Sequence, residues 1–390
     1  MPKRRVPSVG LTTSGGLQNC HKLIPSLVLH MKPKKFARNT NVRRRAPIRR
    51  FRFHPHNLGG YLSIKNLSAE TALVTGGTDG IGKAIARGLA AMGAEVLIVG
   101  SDPDKGAWAE HELRAAAGHD CIYFLQADLS LMRETDRLAD EVIARLSKLK
   151  RLVLCAGVVR GRRIETREGV ESNFAINYLS RFVLTGRLLP LLQAAGAPGA
   201  AARIVVIGGG ARNGKIHYDD INLTRNFGIF TLVQQFCQAN DLFVIEQARR
   251  LAGTDATLRV VTATTFKVGV VRTNIRRYFP LWMKALASLV FDPLLGQTPE
   301  RIAESALCLL ISPEFEGKSG LLFTQIKRFK ATEPGARTRD PREGRWFWEF
   351  SERLAARARS QGQLPADGRK ATGEGLDLII DGSGACSDRV

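Results

Sequence analysis

The strongest constraint on this chain is an eight-residue stretch, Thr75-Gly-Gly-Thr-Asp-Gly-Ile-Gly82, between an apolar run and an amphipathic one. The run Thr71–Thr75 has the continuous hydrophobicity of a strand buried on both faces. Ile81, Ile85, Leu89 and Met92 then recur at helical spacing until Gly93. A chain passing from buried strand to helix through glycines must turn sharply. Gly76 permits the turn, Gly80 lets backbone approach a ligand, and Gly82 lets the helix lie close on the sheet. The helix start, with Thr78, Asp79 and Ile81 in its loop, offers free N–H groups to an anion of pyrophosphate type.

The same alternation continues along the chain. Glu95–Val99, Ile122–Leu125, Leu152–Leu154, Ile204–Ile207, Arg259–Val261 and Gly320–Phe323 read as strands. Helical stretches open at Pro103 and occupy 131–147, 174–194 and 229–252. This order predicts an α/β fold with a Rossmann-type doubly wound parallel sheet, as one domain over residues 66–330.

The flanks differ in composition. Residues 1–60 hold 14 Lys and Arg and no acid, so most of the formal charge of +22 belongs to this tail. The pI of 10.3 is therefore not a nucleic-acid signature of the folded part. Residues 1–65 are expected to be a disordered basic extension, with an organelle address or a tether to anionic lipid or nucleic acid as candidate uses. Residues 331–390 are expected to be a loose extension with one helix near 340–358, opened by Asp340-Pro341 and docked through Trp346, Phe347, Phe350 and Leu354. Six scattered cysteines form no C-x-x-C pair, which excludes a disulfide framework or zinc site; no metal is expected. No apolar run approaches the roughly 18 residues of a membrane span. The expected location is cytoplasmic.

The spacing G-x-x-x-G-I-G resembles the short-chain dehydrogenase/reductase family, and further pieces match in order over residues 70–325. Asp128-Leu129 resembles the family's adenine contact. Cys155-Ala156-Gly157 stands at its Asn-Ala-Gly turn, with Cys for Asn. Asn177 matches its helix asparagine, and Gly269–Thr273 its nicotinamide-amide element, with Val268 for proline. Lys215–Asn222 is most similar to retinol-dehydrogenase-like members. The resemblance implies NAD or NADP as cofactor and a homodimer paired through two long helices. An acid at position 100 would bond the ribose of NAD, but Gly100 stands there. Ser101, with Lys83 and Lys105 as helpers, tips the balance toward NADP against the opposing charge of Asp79.

At the chemical site the resemblance breaks. The family's alcohol–carbonyl chemistry uses a Tyr as proton donor or acceptor, a Lys four residues later and a Ser. The register set by Ala239-Asn240-x-Leu242-Phe243 puts Val233 at the Tyr position and Cys237 at the Lys position. Gly209 stands where the Ser belongs, and only Asn177 remains of the set. The later tyrosines Tyr178, Tyr218 and Tyr278 have no Lys four residues on. Positioned acid–base catalysis contributes about 10²–10⁴-fold, so an ordinary alcohol or ketone becomes a poor substrate without it.

Lys267, at a strand end, is a candidate acid or carboxylate binder against the plain reading of a solvated lysine. Cys237 is a candidate nucleophile against simple packing, and His217 and Tyr218 lie on a loop that could border a substrate. Two functions stay open. One is an NAD(P)-dependent oxidoreductase with altered proton transfer, acting on a small or lipophilic carbonyl or alcohol under the apolar segment 274–298. The other is a nucleotide-binding sensor or assembly protein without turnover.

Overall fold

The computed structural model describes residues 66–211, 214–252, 259–269, 271, 297–326 and 329–361. The basic extension, Thr273, Tyr278, most of the apolar segment 274–298 and the chain after Gln361 lie outside the described residues.

Eight strands form one sheet in the order β3-β2-β1-β4-β5-β6-β7-β8. They are β1 (Thr71–Thr75), β2 (Glu95–Gly100), β3 (Ile122–Gln126), β4 (Arg151–Leu154), β5 (Ala202–Ile207), β6 (Val261–Val268), β7 (Leu321–Gln325) and β8 (Phe329–Thr332). All neighbours pair in parallel except β7 with β8. The order reverses between β1 and β4, which is where open α/β sheets bind ligands at their carboxyl ends. β4 and β5 are buried along their whole length, as their Val, Leu and Ile content requires of central parallel strands.

Helices cover both faces. On one lie α1 (Gly80–Ala91), α2 (Pro103–Ala117) and α6 (Pro299–Ile311), whose Ile85, Leu89, Leu113 and Ile302 pack over β1 and β2. On the other lie α3 (Met132–Arg145), α4 (Ser180–Ala195) and α5 (Ile229–Arg250), over β4 and β5. A five-residue π turn, Ala175–Leu179, leads into α4. Asp102 and Thr298 cap α2 and α6 by accepting a backbone N–H, each just before a proline.

The helix near 340–358, expected to dock through Trp346, Phe347, Phe350 and Leu354, is α7 (Pro341–Gln361). Phe347 is 1% exposed, and its ring centroid lies 5.1 Å from that of Tyr178. Trp348 stacks edge-on against Phe182 at 4.9 Å, Tyr178 shares a hydrogen bond with Ser351, and Arg359 grips Asp136 of α3 through two hydrogen bonds. α7 thus spans α3, the start of α4 and α5. Residues 238–244 of α5 are all buried by the chain itself, across the helices through which the family resemblance implies pairing.

Two elements were not legible in sequence: α6, and the antiparallel strand β8. β6 also runs on from where the expected strand ended. We predict that Phe347→Ala lowers stability by about 3–5 kcal/mol, read from urea unfolding, because the ring leaves a cavity among fixed aromatics.

Candidate nucleotide and active site

The end of β1 is clamped to the end of β4. The Thr75 hydroxyl accepts the N–H groups of Cys155 (3.0 Å) and Ala156 (3.1 Å). Gly76, at φ +69°, lies so close to Ala156 that a Cβ would meet its backbone at 2.8 Å. A Cβ on Gly82 would meet the Gly76 carbonyl oxygen at 2.2 Å. Both glycines are therefore sterically required, as the motif predicts. The Asp79 carboxylate caps α1, accepting the Gly80 N–H at 2.7 Å.

Past the ends of β2 and β3 a cavity of about 1040 Å³ is lined by Ser101, Gln126, Asp128, Ser130, Arg160 and Ser172, among others. It brings the expected adenosine-side residues Ser101 and Asp128 together. Leu129 is buried just behind, and the Asp128 carboxylate accepts the Ser130 N–H. Lys83 is turned away: its ammonium sits 2.7 Å from Glu112 and 4.4 Å from the Trp108 ring centroid. Thr78 packs against Gly100, where a Cβ would meet its hydroxyl at 2.9 Å. An acidic ribose selector at position 100 would collide with it.

Over β4 and β5 the residues carried from the resemblance are present but committed. Asn177 donates to the carbonyls of Val158 (2.7 Å) and Asn173 (2.8 Å) and accepts the Val158 N–H, so its side chain braces the loop after β4. Val233 packs against the apolar core. Burial pushes the Cys155 and Cys237 thiols up to about 12, which leaves both protonated and poor nucleophiles. Burial likewise holds the Tyr178 and Tyr218 phenols above their ordinary range. Tyr178 is tied to Ser351, and Tyr218 donates to Glu343 at 2.7 Å. His217 is half-buried on the same loop, its N–H donating to Gln235. Lys267, at the end of β6, donates its ammonium to the Gly210 carbonyl at 2.8 Å.

Two polar residues escaped the sequence reading. Asp241, on α5, is 1% exposed and accepts the N–H groups of Gly210 (2.8 Å) and Ala211 (3.1 Å), holding the glycine loop after β5. Burial raises its carboxyl to about 6 against these bonds and the pull of Lys267. A Cβ on Gly209 would stand 2.4 Å from the Asp241 Oδ1. Arg181, on α4, is 3% exposed and donates to Ile207 O (2.8 Å) and Ala156 O (2.7 Å). An Arg inside an apolar helix and a second polar residue after Asn240 were the available signals. Only the fold shows what either reaches. Among the described residues no group of three or more side chains could hold a metal, and no helix is long and apolar enough to cross a membrane.

A parallel sheet with this strand order and glycine turn defines a doubly wound, Rossmann-like α/β fold. Comparison with known proteins narrows the class. Residues 70–218 match the family model described as short chain dehydrogenase. Human polyprenol dehydrogenase is 31% identical over 261 residues, covering 67% of this chain and 78% of that protein. Human retinol dehydrogenase 14 is 32% identical over 302 residues, covering 73% and 86%. Among solved structures, the Pseudomonas aeruginosa RhlG/NADP active-site complex matches with a TM-score of 0.53 and 25% identity over 70% of this chain and 97% of that one. A protein from Mycobacterium paratuberculosis matches with a TM-score of 0.58 at 23% identity, over 75% and 95%. The chain belongs to the short-chain dehydrogenase/reductase family of oxidoreductases.

The Gly209–Asp241 contact makes a direct prediction. Gly209→Ser alone should cost about 1–3 kcal/mol through overpacking. The same change should cost less in an Asp241→Ala background, a coupling that a double-mutant cycle in urea measures.

Proposed function

We propose that this chain binds NAD or NADP across the carboxyl edge of its sheet and acts as a nucleotide-responsive binding protein, without the alcohol–carbonyl turnover that a phenol-based proton relay supports. The single observation that carries this reading is the fate of the proton-transfer positions. Val233 is packed, Cys237 is a neutral thiol, and the space beside Gly209 is taken by Asp241. The cradle fits a dinucleotide. Gly76 and Gly82 keep the backbone close at the start of α1, and Ser101 and Asp128 line the neighbouring cavity. When bound, the nicotinamide ring would supply hydride chemistry. The side chains around the ends of β4 and β5 would brace backbone rather than move a proton.

NADP keeps a small advantage from Ser101 and Lys105. Lys83 adds little while held by Glu112, and Asp79 opposes a further phosphate. No described cation is committed to a 2′-phosphate, so affinities for NADH and NADPH should differ by less than about tenfold.

A second reading is favoured by Lys267, whose ammonium stands at the end of β6 with donors to spare. In it the chain transfers hydride to a lipophilic carbonyl compound, the proton coming from Lys267 or water. The names of the polyprenol and retinol relatives make lipophilic alcohols and aldehydes the substrates to try.

Calorimetry with NADPH and NADH should give micromolar dissociation constants, and no titratable heat with either would overturn the dinucleotide reading. Turnover of retinal or a polyprenal by the purified protein, well above the protein-free rate, would decide for the second reading.

A further inference from the structure

The Arg181 guanidinium has no place in the reading above, yet it is among the most costly groups in the molecule. It is 3% exposed, donates only to the carbonyls of Ile207 and Ala156, and leaves its Nε without a hydrogen-bond partner. Among the described residues no carboxylate pairs with it, and the ionisable groups that act on it are the thiols of Cys155 and Cys237. A buried cation held by neutral partners costs several kcal/mol unless another interaction repays it.

Its location fixes what its charge can act on. Ile207 ends β5, and Ala156 follows β4 in the turn clamped to Thr75. A side chain starting at exposed Gly157 would begin 3.8 Å from Nη2, and one at Gly208 would begin 3.8 Å from Nη1. The charge thus lies close behind both turns at the carboxyl edge of the sheet, beside the Asn177 side chain at Gly157. A dinucleotide crossing the switch point puts its adenosine over β2, where the ribose-binding acid of such folds sits, and its other half over β4 and β5. Asp241 and Lys267 also act on Cys237, the carboxylate raising its pKa and the ammonium lowering it. Among the described residues, Arg181, Asp241 and Lys267 together sum to one net positive charge.

We propose that Arg181 makes the site select by redox state, binding reduced NADH or NADPH in preference to the oxidised forms. This inference rests on the dinucleotide reading. The oxidised nicotinamide ring carries a positive charge and the reduced ring is neutral, while the adenosine and phosphate contacts are the same for both. Like charges within about 10 Å of one another, at an effective dielectric of about 20, change an affinity by about tenfold or more. No electron moves in this step; binding alone reports the ratio of the two forms.

The test is calorimetric titration of the full chain with NADH, NAD⁺, NADPH and NADP⁺, and with ADP-ribose as a ligand lacking the ring. The reduced forms should bind at least about tenfold tighter than the oxidised ones. Arg181→Lys should keep the preference. Arg181→Gln, which keeps donors for the two carbonyls, should bring the ratio near one without weakening ADP-ribose. A ratio near one in the wild-type protein, or an unchanged ratio in Arg181→Gln, would overturn the proposal while leaving dinucleotide binding intact. The wild-type ratio is decisive even if the Gln variant does not fold. Binding of none of the five ligands would overturn the dinucleotide reading, and this inference with it.

Discussion

The architecture depends on one close approach, that of the turn after β1 to the turn after β4. Thr75 bonds two consecutive N–H groups there, and Gly76 lies where a single added carbon would strike the Ala156 backbone. This contact sits where the strand order reverses, so it fixes the floor of the ligand crevice. It also delivers the Ala156 carbonyl to Arg181 and sets the turn that Asn177 braces from the other side. A carboxyl-edge cleft with rigid walls follows from it, whatever chemistry the neighbouring side chains retain.

Much of this was legible in the sequence, and for a physical reason. Buried parallel strands are short uninterrupted apolar runs, and α1 carries its apolar face at helical spacing. Both signals are local. The glycine turn was legible because its residue types answer a steric demand a few residues away. β8 was not, because an edge strand of four residues such as Phe329–Thr332, half-exposed, has no clear period. α6 was not, although Thr298-Pro299 marks its start, because the apolar stretch before it drew the reading toward a substrate cover.

The candidate site divides in the same way. The assignment of Val233, Cys237 and Gly209 to the Tyr, Lys and Ser positions of the resemblance came from neighbouring residues that set the register. The long-range polar partners around them left no such signal. Asp241 reads as one more polar residue on a helix until the fold brings its carboxylate to the Gly210 and Ala211 amides. Arg181 reads as an interruption in an apolar helix until its two carbonyl partners come from a turn 25 residues away and a strand 26 residues away in the chain. Long-range polar partners leave no periodic trace.

The docking of α7 has a consequence for how the polypeptide is made. Arg359 meets Asp136 across 223 positions of chain, and Ser351 meets Tyr178 across 173. A ribosome that has finished the last parallel strand still holds back the helix that seals Phe182, Phe243 and Tyr178. Until that segment emerges, a greasy aromatic surface faces solvent or a chaperone. Nascent chains that stop short of residue 341 would keep it open for good, which makes premature termination there a cause of aggregation rather than a source of shorter working protein.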